Sequence, residues 1–156
     1  MQIEVDTTDS LAGRVDIPGS KSHTIRGLII GTLAGGVSRL TRPLTSSDTS
    51  SCLAACRALG AQIGVEGDTW EINGTGGLPR AATGEVDVGN SVTTLFLAMT
   101  PSALAPGLTR FTGDDQIRRR SAEPLLRALR ELGATARSIG GNGCAPLEVG
   151  GGLTGG

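Results

Sequence analysis

Tyrosine is missing from this 156-residue sequence, and Trp70, Phe96 and Phe111 are its whole aromatic complement. Proteins that hold bases on stacking platforms need more aromatic faces than this. Lysine is nearly missing too: of 14 basic residues, only Lys21 is a lysine and the rest are arginine. With 15 acidic residues and a formal net charge of −1, the chain has no basic field to attract nucleic acid. Cys52, Cys56 and Cys144 are odd in number and lack C-x-x-C spacing, which argues against a disulfide framework and for reduced thiols. Cys52 and Cys56 can share one helix face, where core packing explains them better than a metal. The longest apolar stretch, around residues 28–33, is too short to span a bilayer. The opening MQIEVDTTDS has no basic start followed by an apolar run, so it does not read as a secretory leader. These absences predict a cytoplasmic chain of one domain's length, without nucleic-acid or membrane partners.

Glycine, by contrast, is abundant, with 25 residues spread between apolar segments, which predicts many tight turns between short elements. The chain also repeats itself. GTLAGGVSRLT (31–41) and SALAPGLTRFT (102–112) align at an offset of 71, with Leu33, Ala34, Gly36, Arg39 and Thr41 meeting identical residues. ALGA at 58–61 resembles ELGA at 131–134, and both halves close in glycine-rich tails, GTGG and LTGG. A repeat of this length signals a duplicated supersecondary unit.

Each half reads strand, helix, strand, helix, strand, strand. In the first, strands are expected at 14–17 and 37–41, and helices at 22–33 and 48–59, the second capped by Ser46 or Ser47. QIGVE and TWEIN then form a hairpin around Gly67-Asp68. In the second half, strands are expected at 85–88 and 108–112, helices at about 91–104 and 122–132, and a hairpin through 135–139 and 146–149. Leu125, Leu126, Leu129 and Leu132 give the last helix an apolar stripe. The first helix of each half, containing GLIIGTLA or LFLAM, is apolar nearly all round and is expected to be buried. The fold class is therefore α/β, as two βαβαββ units with buried helices, unit one about 14–84 and unit two about 85–156.

Helices that begin at the turns PGS and VGNS aim their free amides outward, which favours an anion. In PGSKSHTIR, Gly19 lets the backbone come close to a ligand and Lys21 adds a flexible point charge. Arg26 lies one turn beyond Ser22 on the same helix face, so hydroxyl and guanidinium can grip one anion together. The stretch is not a Walker A loop, since Ser20 separates glycine from lysine. Taken alone, it is equally compatible with an ordinary turn and cap bearing a solvated lysine.

PGSKSHTIR, followed in order by SSDT, VGNSVTT, FTGDDQIRRR, LRELGA and GGLTGG, resembles the 3-phosphoshikimate 1-carboxyvinyltransferase (5-enolpyruvylshikimate-3-phosphate synthase) family. The resemblance runs from about Val15 to the end, and PGSKS is its most specific part. It implies transfer of the enolpyruvyl group of phosphoenolpyruvate to the 5-hydroxyl of shikimate 3-phosphate, in the shikimate pathway of aromatic amino acid biosynthesis. Phosphate is released by C–O cleavage, with no metal and no organic cofactor. Position by position, it implies that Lys21 contacts both substrates and is the catalytic residue. Ser22 and Arg26 hold shikimate 3-phosphate, Asn90, Val92 and Thr93 lie beside phosphoenolpyruvate, and Arg120 binds it. Asp48 matches an acidic position that orients neighbouring basic groups. Arg118 and Arg119 read as a solvated face, His23 as a bystander and GGNG (140–143) as a hairpin turn.

The chain departs from the family pattern at Val92, where a glycine touches phosphoenolpyruvate, and at Ser121, where proline usually follows the arginine. The resemblance also implies six βαβαββ units in two domains, of which this chain supplies two. It is thus expected to be an N-terminal fragment, inactive alone, whose partners are both substrates and the missing C-terminal units of the same enzyme. The alternative is a non-catalytic phosphate-binding module derived from the family, with Val92 marking lost catalysis.

Overall fold

The computed structural model describes residues 2–154. Its elements run α1 (Lys21–Leu33), β1 (Val37–Thr41), α2 (Ser47–Ala58), β2 (Gln62–Glu66), β3 (Thr69–Asn73), β4 (Glu85–Asp87), α3 (Val92–Ser102), β5 (Leu108–Thr112), a 3-10 turn (Ile117–Arg119), α4 (Glu123–Glu131), β6 (Thr135–Ser138) and β7 (Leu147–Gly150). Two sheets form, ordered β1-β3-β2 and β4-β5-β7-β6. All pairings are antiparallel except β4 with β5, which is parallel. The helices α1, α2 and α3 pack on one another between the sheets, and α4 lies against β6. One core joins both halves, with Ile25, Leu28, Leu59 and Ile72 from the first and Leu95, Met99, Phe111 and Leu126 from the second fully buried. Cys52 and Cys56 are buried in this core, and the Cys52 thiol donates to the Ile25 carbonyl.

Several element boundaries follow from local chemistry. The Ser46 hydroxyl accepts from the Thr49 amide while the Thr49 hydroxyl accepts from the Ser46 amide, a reciprocal cap that starts α2. Pro124 sits in the first turn of α4, where its missing N–H costs nothing.

Three expectations are corrected. Residues 14–17 form no strand, and Val15 and Ile17 are each 78% exposed. A strand exists only through its partner's hydrogen bonds: the matching segment of the second half pairs with β5, whereas the outer edge of β1 carries nothing among the described residues. The first helices are also not buried all round. Ile30 on α1 is 69% exposed and Phe96 and Leu97 on α3 are half-buried. Each of these helices is covered on one side by its own sheet and the neighbouring helices, and the remaining side is open. The stripe on α4 is likewise narrower than expected, with Leu126 and Leu129 buried but Leu132 exposed.

Each sheet carries a charged row on the face away from the helices. Arg39 on β1 donates to Glu71 on β3. In the other sheet, Arg110 on β5 donates to Glu148 on β7 at 2.9 Å, and Arg137 on β6 donates to its other oxygen through Nε and Nη2 at 2.9 and 2.6 Å. Arg110 first, and Arg137 with it, hold the Glu148 carboxyl below the usual carboxylate range. Because the folded value is depressed, this stabilisation is present above the unfolded glutamate value of about 4.3 and is lost as the pH falls through the folded value. Glu148→Gln should therefore melt below the parent at neutral pH, and the gap should close on acidification. Calorimetric melts across that range check this, and a pH-independent gap would contradict it.

Candidate functional site

The start of α1 is built by Ser20. Its hydroxyl accepts from the His23 amide at 3.4 Å, and its carbonyl accepts from both the amide and the hydroxyl of Thr24. The buried Thr24 hydroxyl also accepts from the Leu44 amide, which fastens the 42–44 loop to the helix. Gly19 serves this contact. A Cβ there would lie 2.5 Å from the Arg42 carbonyl oxygen and 2.8 Å from the Leu44 nitrogen, so its bare side admits the neighbouring loop rather than a ligand.

Lys21 and Ser22 are the first two residues of α1, where amides have no acceptor within the helix. The Lys21 ammonium donates to Asp48 at 2.8 Å, with the lysine side chain 50% and the aspartate 20% exposed. Asp48 stands in the first turn of α2, where the helix dipole favours its charge. Its carbonyl accepts from the buried Thr94 hydroxyl of α3 at 3.4 Å. The first turns of α1, α2 and α3 therefore adjoin. Arg26 is exposed and folds back over its own helix start, Nη1 donating to the Ser22 carbonyl at 3.1 Å. His23 instead opens, with Ser20, Arg39 and Arg42, onto a separate cavity of about 390 Å³ that Lys21, Ser22 and Arg26 do not line.

The start of α3 is organised in the same way. Ser91 is the cap, accepting from the Thr94 amide, and its φ of −86° and ψ of 89° turn the chain so that the Val92 amide donates to the Asn90 carbonyl. Ser20 and Ser91 are 71 residues apart, as are Lys21 and Val92, so the two first helical positions correspond under the repeat. Val92 is half-buried and packs against the core, and Thr93 beside it is also half-buried.

The exposed Asn90 amide donates to Asp114 at 2.5 Å. The other Asp114 oxygen accepts from the amides of Gln116 and Ile117. The Ile117 amide first, then Asn90 and Gln116, outweigh desolvation and hold the Asp114 carboxyl below its usual range. Arg120 closes the 3-10 turn in extended conformation, exposed and with no side-chain hydrogen bond among the described residues. Arg118 is exposed as expected, but its guanidinium is not free in solvent: it donates to the Gly113 carbonyl at 3.0 Å and the Thr112 hydroxyl at 3.4 Å.

Lys21, Ser22 and Arg26 thus share the start of α1, Asn90, Val92 and Thr93 share that of α3, and Asp48 at the start of α2 joins the two. Sequence reasoning passed over Asp114, Thr24 and Thr94. A legible signal for Asp114 was an aspartate two and three residues ahead of amides that begin a short turn.

The family model described as EPSP synthase (3-phosphoshikimate 1-carboxyvinyltransferase) matches residues 5–156. The 3-phosphoshikimate 1-carboxyvinyltransferase of Acetivibrio thermocellus is 49% identical over 145 residues, covering 93% of this chain and 34% of the relative. That of Methanothermobacter thermautotrophicus is 45% identical over 156 residues, covering 100% of this chain and 37% of the relative. The solved EPSP synthase from Acinetobacter baumannii superposes with a TM-score of 0.82 at 29% identity, over 90% of this chain and 32% of that one. The enolpyruvyl transferase NikO from Streptomyces tendae shares the fold, with a TM-score of 0.57 at 20% identity over 83% of this chain and 29% of that one. The chain spans 34% and 37% of the length of the two curated relatives. With the family match running from residue 5 onward over helix starts arranged in this way, the chain belongs to the EPSP synthase family.

Proposed function

We propose that this chain forms one wall of a cleft in which the enolpyruvyl group of phosphoenolpyruvate passes to the 5-hydroxyl of shikimate 3-phosphate, with release of phosphate. The remainder of the cleft would come from further units of the same enzyme. The observation that carries this reading is the meeting of three helix starts around the Lys21–Asp48 pair. Both substrates are phosphorylated anions. Free helix amides, an ammonium and nearby guanidinium groups are the chemistry that holds them.

In this reading Lys21 reaches both substrates, Ser22 and Arg26 hold shikimate 3-phosphate, and Asn90, Thr93 and Arg120 face phosphoenolpyruvate. Asp48 holds the ammonium in place between the two. In this reading the chain comprises two units, of about 14–84 and 85–156, and the enzyme works in the cytoplasm without a cofactor. No helix among the described residues is long and apolar enough to cross a membrane.

Arg26→Ala tests the assignment. One charge-assisted contact contributes about 1.5–3 kcal/mol, so affinity for shikimate 3-phosphate should fall by roughly 10- to 150-fold in titration calorimetry. Unchanged binding by a folded variant would move the anion site elsewhere.

Val92 supports a second reading, a non-catalytic phosphate-binding module. It replaces the glycine that the family pattern places against phosphoenolpyruvate, and part of its side chain is committed to the core. A hybrid enzyme, with this chain replacing the matching third of the Acetivibrio thermocellus relative, separates the two. Turnover supports the transferase; binding of shikimate 3-phosphate without turnover supports the module.

A further inference from the structure

Asp114 belongs to none of the groups assigned above to a substrate, yet it connects two of them. One carboxylate oxygen accepts the Asn90 amide at 2.5 Å, and the other accepts the backbone amides of Gln116 and Ile117 at 2.9 and 3.0 Å. The backbone repeats the link, since the Asp114 amide donates to the Gly89 carbonyl at 2.9 Å. The two segments press together closely enough that a Cβ on Gly113 would lie 2.6 Å from that same carbonyl oxygen and 2.7 Å from the Ile117 side chain. The Asp114 carbonyl then accepts from the Arg118 amide, and the Arg118 guanidinium returns to the Gly113 carbonyl. Two residues later the chain leaves the turn at Arg120.

A carboxylate only accepts hydrogen bonds, so Asp114 dictates which way the Asn90 amide faces. Its NH2 group turns toward Asp114, leaving one N–H and the carbonyl oxygen for anything else. The same carboxylate satisfies the amides that open the turn ending at Arg120. We infer that Asp114 is a positioning residue, a single clamp that sets the Asn90 amide and the Arg120-bearing turn relative to each other and so shapes the phosphoenolpyruvate half of the site. This rests on the proposed function for the ligand's identity. No hydrogen bond links Asp114 to the Lys21, Ser22 and Arg26 cluster on α1.

The test uses the hybrid enzyme and its Asp114→Asn variant, which keeps the shape but has one acceptor oxygen in place of two, so its NH2 group must oppose either the Asn90 amide or the backbone amides of Gln116 and Ile117. The KM for phosphoenolpyruvate should rise about tenfold or more, while the KM for shikimate 3-phosphate should change less than about threefold. A purely structural role would move both together. Equal changes in both constants, or none in either, in an active hybrid would overturn the positioning role and leave the proposed function standing. A folded hybrid that neither binds nor turns over its substrates would overturn both. A second measurement does not depend on the variant folding. In the unsubstituted chain, one Asn90 side-chain N–H should show slowed exchange and a coupling across the hydrogen bond to the Asp114 carboxyl carbon. Two freely exchanging protons would overturn the clamp.

Discussion

Lys21→Met in the hybrid enzyme should reduce kcat/KM by roughly 10²- to 10⁴-fold, because two charge-assisted contacts of about 1.5–3 kcal/mol each are lost together. The loss should appear in the affinity for both substrates, unlike that of Arg26→Ala, which should weigh on shikimate 3-phosphate. Methionine keeps most of the stem and removes the charge, leaving Asp48 at 20% exposure without its partner. Lys21→Arg should recover only part of the loss. A planar fork presents its donors in fixed directions, whereas the ammonium can serve Asp48 and two different anions from one stem. Equal kcat/KM for the parent and the methionine variant would remove Lys21 from the site. Steady-state kinetics with each substrate varied in turn provides the measurement.

The 156-residue chain assayed alone should release no phosphate above background from the two substrates together. Its charged groups are borne on the starts of three helices and one short turn, all on an open surface, with Lys21 half-exposed and Arg120 exposed. Water therefore reaches every contact, and the electrostatic stabilisation that drives enolpyruvyl transfer needs a closed, water-poor site. The curated relatives that carry the activity in their names are nearly three times as long, the matched part being 34% and 37% of their length. Phosphate release that depends on Lys21 in the isolated chain would show that one wall is sufficient.

Much of this was legible from local chemistry. The hairpin at Gly67-Asp68 and the cap at Ser46 depend on residues close in sequence, and the structure reproduces them. What depended on distant partners was not. Val15 and Ile17 alternate like a strand, but only a neighbouring strand could have made them one. Gly19 looked like an opening for a ligand, and only the packing of the 42–44 loop shows what fills its open side. The same holds for the site. The cationic residues and Asp48 could be placed through their motifs and the family resemblance, whereas the specific pairings, Lys21 with Asp48 across 27 positions and Asn90 with Asp114 across 24, appear only in the fold. Arg118 shows the limit most plainly: its neighbours in sequence suggest a solvated run, and its guanidinium is engaged by the end of β5 and the residue after it.

The claim on which the rest depends is that the helix starts hold the anions. Titrating shikimate 3-phosphate into isotope-labelled chain and following each backbone amide tests it most directly. The amides of Lys21, Ser22 and His23 should shift in one saturable process, and that process should disappear in Lys21→Met. Saturable shifts confined to the cavity beside Arg39 and Arg42, or unaffected by Lys21→Met, would contradict it.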